Sequence, residues 1–446
     1  MKLKLWGTRG SIPKPSAKML RYGGNTSCLE IRSESGTLVV IDCGTGAHDL
    51  GQKLMAEADG AVKGAILISH THWDHIQGFP FFAPLFVPGN KWDIYAPEGL
   101  NSNLRDTLSG QMQYTYFPIT LETMGAEIQY HELVEGVFEV GDILIRTHYL
   151  NHPALTLGYR LEADGCSIAY ICDNEPFSEE TSFKDGPLSA QEESLFEFVK
   201  GADLVVHDAQ YTQEEYKEKM GWGHSTGKYA VDFCHAAGVE QLALTHHDPM
   251  RDDDAVEAIE EEIRGYCSSL SLGIQVFPAA EAQEVTLVPR ETIARGKQKE
   301  DAAAVDAVVP ATVAQKIVMM TNDLAIIEMI GKIATEEHLR LISLQDEIDL
   351  IGTIRYQKPA LVILENRKDL ESMNKTCHSI LNMDEGLGLA PPILLFSDVQ
   401  VTTPPFKGLQ MDWLTWPVSH EYVRTRIHAW ILRQSCRWNR APVKKD

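Results

Sequence analysis

One short string carries most of the chemistry in this chain. In "AILISHTHWDHIQGFP" an apolar run ends at Ser69 and is followed by His70, His72, Asp74 and His75. At 16 histidines in 446 residues, H-x-H-x-x-H arises by chance roughly 0.02 times, before the aspartate is required. Imidazole and carboxylate together suit zinc, manganese or iron. Four such groups at one strand end exceed the three protein ligands of an ordinary catalytic zinc, and two adjacent cations are the natural solution. The plain alternative is a polar strand-to-helix turn, with Asp74 as its N-cap and the histidines exposed.

Further candidates stand where other apolar runs end. His152 follows "ILIRTHYLN", Asp173 follows "SIAYIC" and His246 follows "QLALT". Alone, each is an ordinary cap or loop residue; beside a four-ligand loop they match the remaining valences of a dinuclear centre. Two alternatives stay open. His247 adjoins His246 in "LTHHDP", where strand phase favours His246, and His148 precedes His152 in "RTHYLNHP".

The H-x-H-x-D-H pattern resembles the signature of the metallo-β-lactamase superfamily. That resemblance implies an αββα sandwich in which His70, His72 and His152 hold one metal, Asp74, His75 and His246 hold the second, and Asp173 bridges them. The absence of cysteine from these positions is similar to the two-metal phosphodiesterase branch rather than the β-lactam-cleaving members. "DLVVHDAQYT" and "GWGHSTGKYA" resemble the corresponding segments of RNase Z and small cyclic phosphodiesterases. They imply that Asp208 orients His224, which donates a proton to the leaving oxygen, so that Asp74, Asp208 and His224 form the catalytic set. Without the resemblance, Ser225 or Thr226 is simply a helix N-cap. "GTRGSIP" and "RYGGNTSC" look like the Gly-rich N-terminal segments of the same branch, which places Asn25, Thr26 and the Asp42-Cys43-Gly44 turn beside the metals and Arg9 on a phosphate. Tight turns alone also explain these glycines.

The expected activity is hydrolysis by a dinuclear metal centre: two cations bring a shared water towards neutral pKa, and the resulting hydroxide attacks phosphorus. The expected cofactors are two divalent ions per chain, zinc first, with manganese or iron as alternatives. The expected substrate is a small, cyclic nucleotide or related phosphodiester. Alternatives are an RNA-processing endonuclease, a lactone or thioester hydrolase, and a non-catalytic signalling scaffold or sensor.

The composition sets the frame. A chain of 446 residues exceeds one ordinary core. The formal charge of -23, from 40 basic and 63 acidic residues, repels polyanions on average, so nucleic-acid polymers are not the expected partner. No segment has the ~20 apolar residues of a membrane span, nor does the N-terminus carry the apolar core of a signal peptide. The expectation is a cytoplasmic protein. Eight scattered cysteines without C-x-x-C pairs read as reduced core thiols.

Residues 1–290 read as short β-branched strands ("KLKLW", "CLEIR", "TLVVID", "AILIS", "ILIRTH", "LTLGYRLE", "SIAYIC", "DLVVHD", "QLALTH") with helices at "SLFEFVK" and "DDAVEAIEEEIRGYC". The Asp252-Asp253-Asp254 run belongs to the start of the latter, where carboxylates complement the helix dipole. Residues 291–314 read as a linker. Residues 315–446 read as a small flavodoxin-like α/β domain. "KIVMMTND", "PALVILEN", "ILLFSD" and "LTWP" resemble strands of bacterial response-regulator receivers, with the functional groups altered. By that resemblance Glu365 replaces the phosphoacceptor Asp, Thr321 and Asn322 replace the acidic pair, Trp416 before Pro417 replaces the lysine, and only Ser397 keeps the hydroxyl. The expectation is a degenerate receiver-like domain that serves self-association as a dimer, or partner docking, through an apolar patch with Trp413, Trp416 and Trp430. Core packing of those tryptophans is the alternative.

Overall fold

A computed structural model of the protein describes residues 1–98, 103–177, 190–289, 315–344, 350–366, 370–381, 391–397, 411–415 and 417–438. The expected linker at 291–314 and Trp416 lie outside the described residues. The chain forms two compact units, one from the bulk of residues 1–307, the other from 308–446 with short stretches between 177 and 194.

The first unit contains two seven-stranded sheets. One runs in the order β14-β1-β2-β3-β4-β5-β6, with β1 (Lys2–Gly7), β2 (Cys28–Arg32), β3 (Leu38–Ile41), β4 (Lys63–Leu67), β5 (Lys91–Pro97), β6 (Glu127–Leu133) and β14 (Glu284–Thr286). The other runs β13-β12-β11-β10-β9-β8-β7, with β7 (Val137–Val140), β8 (Ile143–Tyr149), β9 (Leu157–Ala163), β10 (Cys166–Ile171), β11 (Leu204–Asp208), β12 (Gln241–Thr245) and β13 (Gln275–Pro278). In each sheet a run of four parallel strands, β3 to β6 and β10 to β13, continues into antiparallel ones.

Period-two alternation makes these sheets the two inner layers of a sandwich. Val40, Ile66 and Ile94 pack outward in a core cluster with Ala47, Leu50 and Leu54 of α1 (Ala47–Glu57) and with Leu104 and Leu108 of α3 (Leu104–Gln111). Their neighbours Val39, Ile41, Ala65 and Leu67 are wholly buried on the opposite face. Every residue of β10 and β11 is buried, as parallel strands covered on both faces should be. Helices α6 (Gly227–Ala236) and α7 (Asp253–Leu270) lie against β11, β12 and β13. Two tyrosines tie the layers together: Tyr159 Oη donates to the Ile68 carbonyl and Tyr170 Oη to Asp42 Oδ2, each at 2.7 Å.

The strands read from β-branched runs are all present. Missing from that reading were β5, β6, β7, β13 and β14. β6 and β7 lie at sheet edges and have no buried residue; β6 is mostly polar and β7 is only four residues long. The acidic run behaves as expected at a helix start: Asp252 caps α7 by accepting from Ala255 N at 3.2 Å. The remaining α-helices before residue 290 are α2 (Trp73–Ile76), α4 (Ala190–Val199) and α5 (Gln213–Glu218). The seven cysteines whose side chains are described are free and buried. No helix among the described residues is long and apolar enough to cross a membrane.

The second unit is a five-stranded parallel sheet of order β16-β15-β17-β18-β19. Its strands are β15 (Lys316–Met320), β16 (Arg340–Leu344), β17 (Leu361–Asn366), β18 (Ile393–Ser397) and β19 (Met411–Thr415). Its helices are α8 (Leu324–Glu336), α9 (Leu350–Gln357), α10 (Leu370–Leu381) and α11 (His420–Trp438). This is the 2-1-3-4-5 order of the flavodoxin-like folds. One apolar cluster on each side of the sheet holds the helices. Trp430 is 5% exposed and belongs to one of these clusters, so it cannot contribute to the expected surface patch. The side chain of Trp413 lies outside the described residues.

Candidate functional site

The ends of five strands converge on one cluster. β4 leads into His70 and the N-terminus of α2, β8 into His152, β10 into Asp173, β11 ends on Asp208, and β12 leads into His246. Asp173 is the centre. Its Oδ2 lies 3.5 Å from His70 Nε2 and 3.7 Å from His152 Nε2, and His152 Nε2 is 3.2 Å from His72 Nδ1. Its Oδ1 faces the other way, 3.4 Å from His75 Nε2 and 3.1 Å from His246 Nε2. Asp74 Oδ2 completes that side at 3.3 Å from His75 Nε2 and 3.1 Å from His246 Nε2. The seven residues thus fall into two groups that share one carboxylate. His70, His72, His152 and Asp173 offer four ligand atoms within 4.8 Å of one another.

The donor set fits divalent cations. His70 Nε2 and His75 Nε2 are buried and have no hydrogen-bond partner among the described residues. His72 Nδ1 and His152 Nε2 face each other at 3.2 Å, where two neutral imidazoles need either a shared proton or a cation between them. The opposite ring nitrogens are held by the rest of the fold. His75 Nδ1 donates to Asp42 Oδ2 (2.8 Å), His152 Nδ1 to the Gly223 carbonyl (3.0 Å) and His246 Nδ1 to Gln210 Oε1 (3.2 Å). His70 Nδ1 pairs with Ser69 Oγ at 3.2 Å. Such outer partners fix ring orientation and leave the inward nitrogen a lone pair. Asp74 Oδ2 also accepts from Ser11 N at 2.7 Å.

Charge is arranged in the same two halves. Burial pushes His70 well down, and His152 down to about 3, so both stay neutral and ready to ligate. On the other side burial is outweighed: Asp173 and Asp74 raise His246 to about 9, and Asp74, Asp173 and Asp42 hold His75 well above the usual imidazole range. Burial opposes ionisation of Asp74, yet His75 and His246 hold its carboxyl well below the usual range. Without metal, protons on His75 and His246 balance the buried carboxylates; a cation in the same place would displace them.

The backbone is bent to bring these groups in. Ser11, Asp42, Asp173 and His246 have φ of 64°, 57°, 56° and 60°, four of the nine non-glycine residues with positive φ among those described. Left-handed conformations of this kind cost about 1–3 kcal/mol each and persist where surroundings over-determine them. Two glycines are required by close approach. A Cβ on Gly10 would lie 2.3 Å from the His246 ring, and one on Gly223 would lie 2.2 Å from His152 Nδ1.

Beside the metal-type ligands, His224 Nδ1 donates to Asp208 Oδ2 at 2.8 Å. Asp208 is wholly buried and also accepts from Gln210 N (2.9 Å) and Asn174 N (3.3 Å). The His224 ring stands between His246, stacked at 4.9 Å, and His152, edge-on at 5.3 Å.

The open alternatives separate cleanly. His247 turns away and bonds the Ala279 carbonyl through Nε2 at 2.9 Å, while His148 pairs with Glu135 at 2.9 Å. Thr226 caps α6 by accepting from Tyr229 N at 3.2 Å, and Ser225 donates to the Asn174 carbonyl. Asn25 and Thr26 do not reach the cluster by hydrogen bonds. They knit the turn after β3, Asn25 Oδ1 accepting from Thr45 Oγ1 at 3.0 Å and Thr26 Oγ1 from Thr45 N at 2.9 Å. Arg9 differs from expectation: it is fully buried, with Nε donating to Gly23 O and Nη1 to Arg251 O, each at 2.7 Å. It braces three loops and is not placed to meet a bound phosphate. Reading the sequence missed Ser69, Tyr170 and Gln210 as supports, and also Glu175, which accepts from Gly221 N (2.7 Å) and Gly223 N (2.9 Å).

Residues 37–247 match the family model described as the Beta-lactamase superfamily domain. The first unit has the metallo-β-lactamase fold. With its His/Asp cluster, this unit is similar to the metal-dependent hydrolases of that superfamily. Among curated proteins, ribonuclease Z of Haloarcula marismortui is 22% identical over 307 residues, covering 58% of this chain and 90% of that protein. Ribonuclease BN of Cronobacter sakazakii is 23% identical over 326 residues, covering 64% and 98%. Among solved structures, a diphosphatase of the PhnP family aligns with TM-score 0.44 and 19% identity over 64% of this chain and 97% of that one. The charge argument against nucleic-acid polymers gains no support from relatives named as ribonucleases.

Proposed function

We propose that the first unit is a two-metal phosphodiesterase acting on a small, cyclic nucleotide or a related diester. The observation that carries this reading is Asp173, whose two oxygens each face a separate ligand set. Two divalent ions bound there, zinc first among zinc, manganese and iron, would supply an acidified water and positive charge beside the phosphoryl oxygens. Asp42, Ser69, Gln210 and Gly223 keep the imidazoles aimed inward. Asp208 holds His224 through Nδ1, and in the doubly protonated ring the far nitrogen would give its proton to the departing alkoxide, which leaves slowly unprotonated near neutral pH. Need for such an acid favours an alkoxide leaving group over a thioester's thiolate. A second reading, an RNA-processing endonuclease, is favoured by the names of the curated relatives.

The test is a substrate panel on the metal-loaded protein: bis-p-nitrophenyl phosphate, cyclic mono- and dinucleotides, lactones, thioesters and a precursor tRNA. Diesters of nucleotide size should turn over at least about tenfold faster, by kcat/KM, than lactones or thioesters. Preference for the tRNA would install the second reading. Inertness towards every compound would favour a scaffold or sensor.

We further propose that residues 315–446 form a degenerate receiver-like domain unable to act as a phosphorylation switch. At the strand ends, Thr321 donates its hydroxyl to Glu365, and Ser397 is in register with Asn366. Glu365 and Thr321 thus satisfy each other where a receiver requires a magnesium-binding carboxylate group. Incubation with acetyl phosphate and magnesium should give no hydroxylamine-sensitive label, and a labelled Glu365 would overturn the proposal. The role left to the unit is self-association as a dimer or docking of a partner.

A further inference from the structure

Large aromatic side chains are normally more than half buried, and an exposed one on a rigid backbone beside a reactive cluster calls for an explanation. Two indoles here meet that description. Trp73 is 76% exposed and Trp222 is 62% exposed.

Both are tied to the same imidazole. His72, which precedes Trp73, presents Nδ1 to His152 Nε2 at 3.2 Å; Gly223, which follows Trp222, accepts from His152 Nδ1 at 3.0 Å. The two tryptophans therefore stand one residue away from contacts on opposite nitrogens of one ring. Their backbones are fixed. Trp73 opens α2 between His72 and Asp74, and its carbonyl accepts from Gln77 N at 2.7 Å. Trp222 sits between Gly221 (φ 86°) and Gly223 (φ 87°), whose N–H groups both end on Glu175. Neither indole has an aromatic or cationic ring contact among the described residues.

Indoles carried on a fixed backbone offer flat, sequence-tolerant faces, and every nucleobase has a matching one. The formal charge of -23 disfavours a long polyanion held by phosphate contacts. Stacking, in contrast, does not depend on charge. We propose that Trp73 and Trp222 form a base-stacking clamp flanking the metal cluster, and that the substrate is a dinucleotide, with one base on either side of the scissile phosphodiester. This rests on the phosphodiesterase reading above and names its substrate class. Neither tryptophan acts on the reacting atoms; both position the diester.

The experiment uses the full-length, metal-loaded protein and its Trp73→Ala, Trp222→Ala and Trp→Phe counterparts. Substrates are linear ApA, cyclic di-AMP and methyl p-nitrophenyl phosphate. Each alanine variant should raise KM for the dinucleotides by about 5- to 150-fold, the range of one lost base stack, with kcat within about twofold. The phenylalanine variants should recover most of the loss, and KM for the methyl diester should shift by less than about twofold. Preference between ApA and cyclic di-AMP tells which form of dinucleotide fits. Equal losses on the methyl diester, a fall in kcat alone, or no change would overturn the clamp while leaving the phosphodiesterase reading intact. If the parent cleaves no diester, that reading falls, and the clamp is then judged by AMP: saturable quenching of indole fluorescence that disappears in the double alanine variant supports stacking, and its absence overturns it. Higher kcat/KM for a precursor tRNA than for either dinucleotide would overturn the substrate class.

Discussion

Asp173→Ala should lose metal from both halves of the cluster at once. The parent, purified without chelator, should hold close to two divalent ions per chain by elemental analysis. The variant should bind either ion more than about 100-fold more weakly, because removing an outer partner alone costs 10–100-fold and Asp173 faces both ligand sets directly. The change also strips His75 and His246 of a carboxylate that raises their affinity for protons. Asp173→Asn, nearly the same size, separates charge from packing: it should fold like the parent and still lose metal. A variant that keeps one tightly bound ion and full activity would refute the shared-ligand assignment.

His224→Ala should act on chemistry and not on metal content. If His224 protonates the leaving oxygen, its loss should slow turnover of diesters with alkoxide leaving groups by roughly 10²-fold or more. p-Nitrophenolate, which departs without a proton, should suffer much less. Asp208→Asn should mimic the same pattern in weaker form, since Asp208 Oδ2 accepts from His224 Nδ1 and so orients the ring that gives the proton. Equal losses for good and poor leaving groups would reduce His224 to a packing residue between His152 and His246.

The parts of the site legible in the sequence were those with short-range spacing. H-x-H-x-D-H sits within six residues, and β-branched runs announce strand ends, so His152, Asp173 and His246 stood out by position. The supports were legible only at the Asp42 turn, which the resemblance placed beside the metals, and not in their pairings. Asp42 meets His75 from 33 residues away, Tyr170 reaches Asp42 across the sandwich, and Gln210 meets His246 from the loop after β11. Such pairs exist only once the layers are packed. The same holds for Arg9: nothing in "GTRGSIP" tells that two other loops will enclose its guanidinium. Choosing between His246 and His247 was possible only from strand phase, whereas the fold separates them by sending one ring to Gln210 and the other to Ala279. Edge strands such as β6 escaped notice because half of each faces solvent and a polar composition hides the alternation.

The pairing of β1 with β14, Lys2 opposite Thr286, has a consequence for how the molecule comes into being. During synthesis, β1 can pair with β2 early, but its outer edge stays open until the last strand of the unit leaves the ribosome. The cluster is under the same constraint, since His70 and His246 arrive far apart in time and the second ligand set is incomplete without the latter. Long-range closure of this kind is slow relative to hairpins and helices. Partial chains would therefore expose the edge of β1 and a half-built cation trap, and the segment from 308 onward, still being made, would keep the finished first unit tethered while it closes.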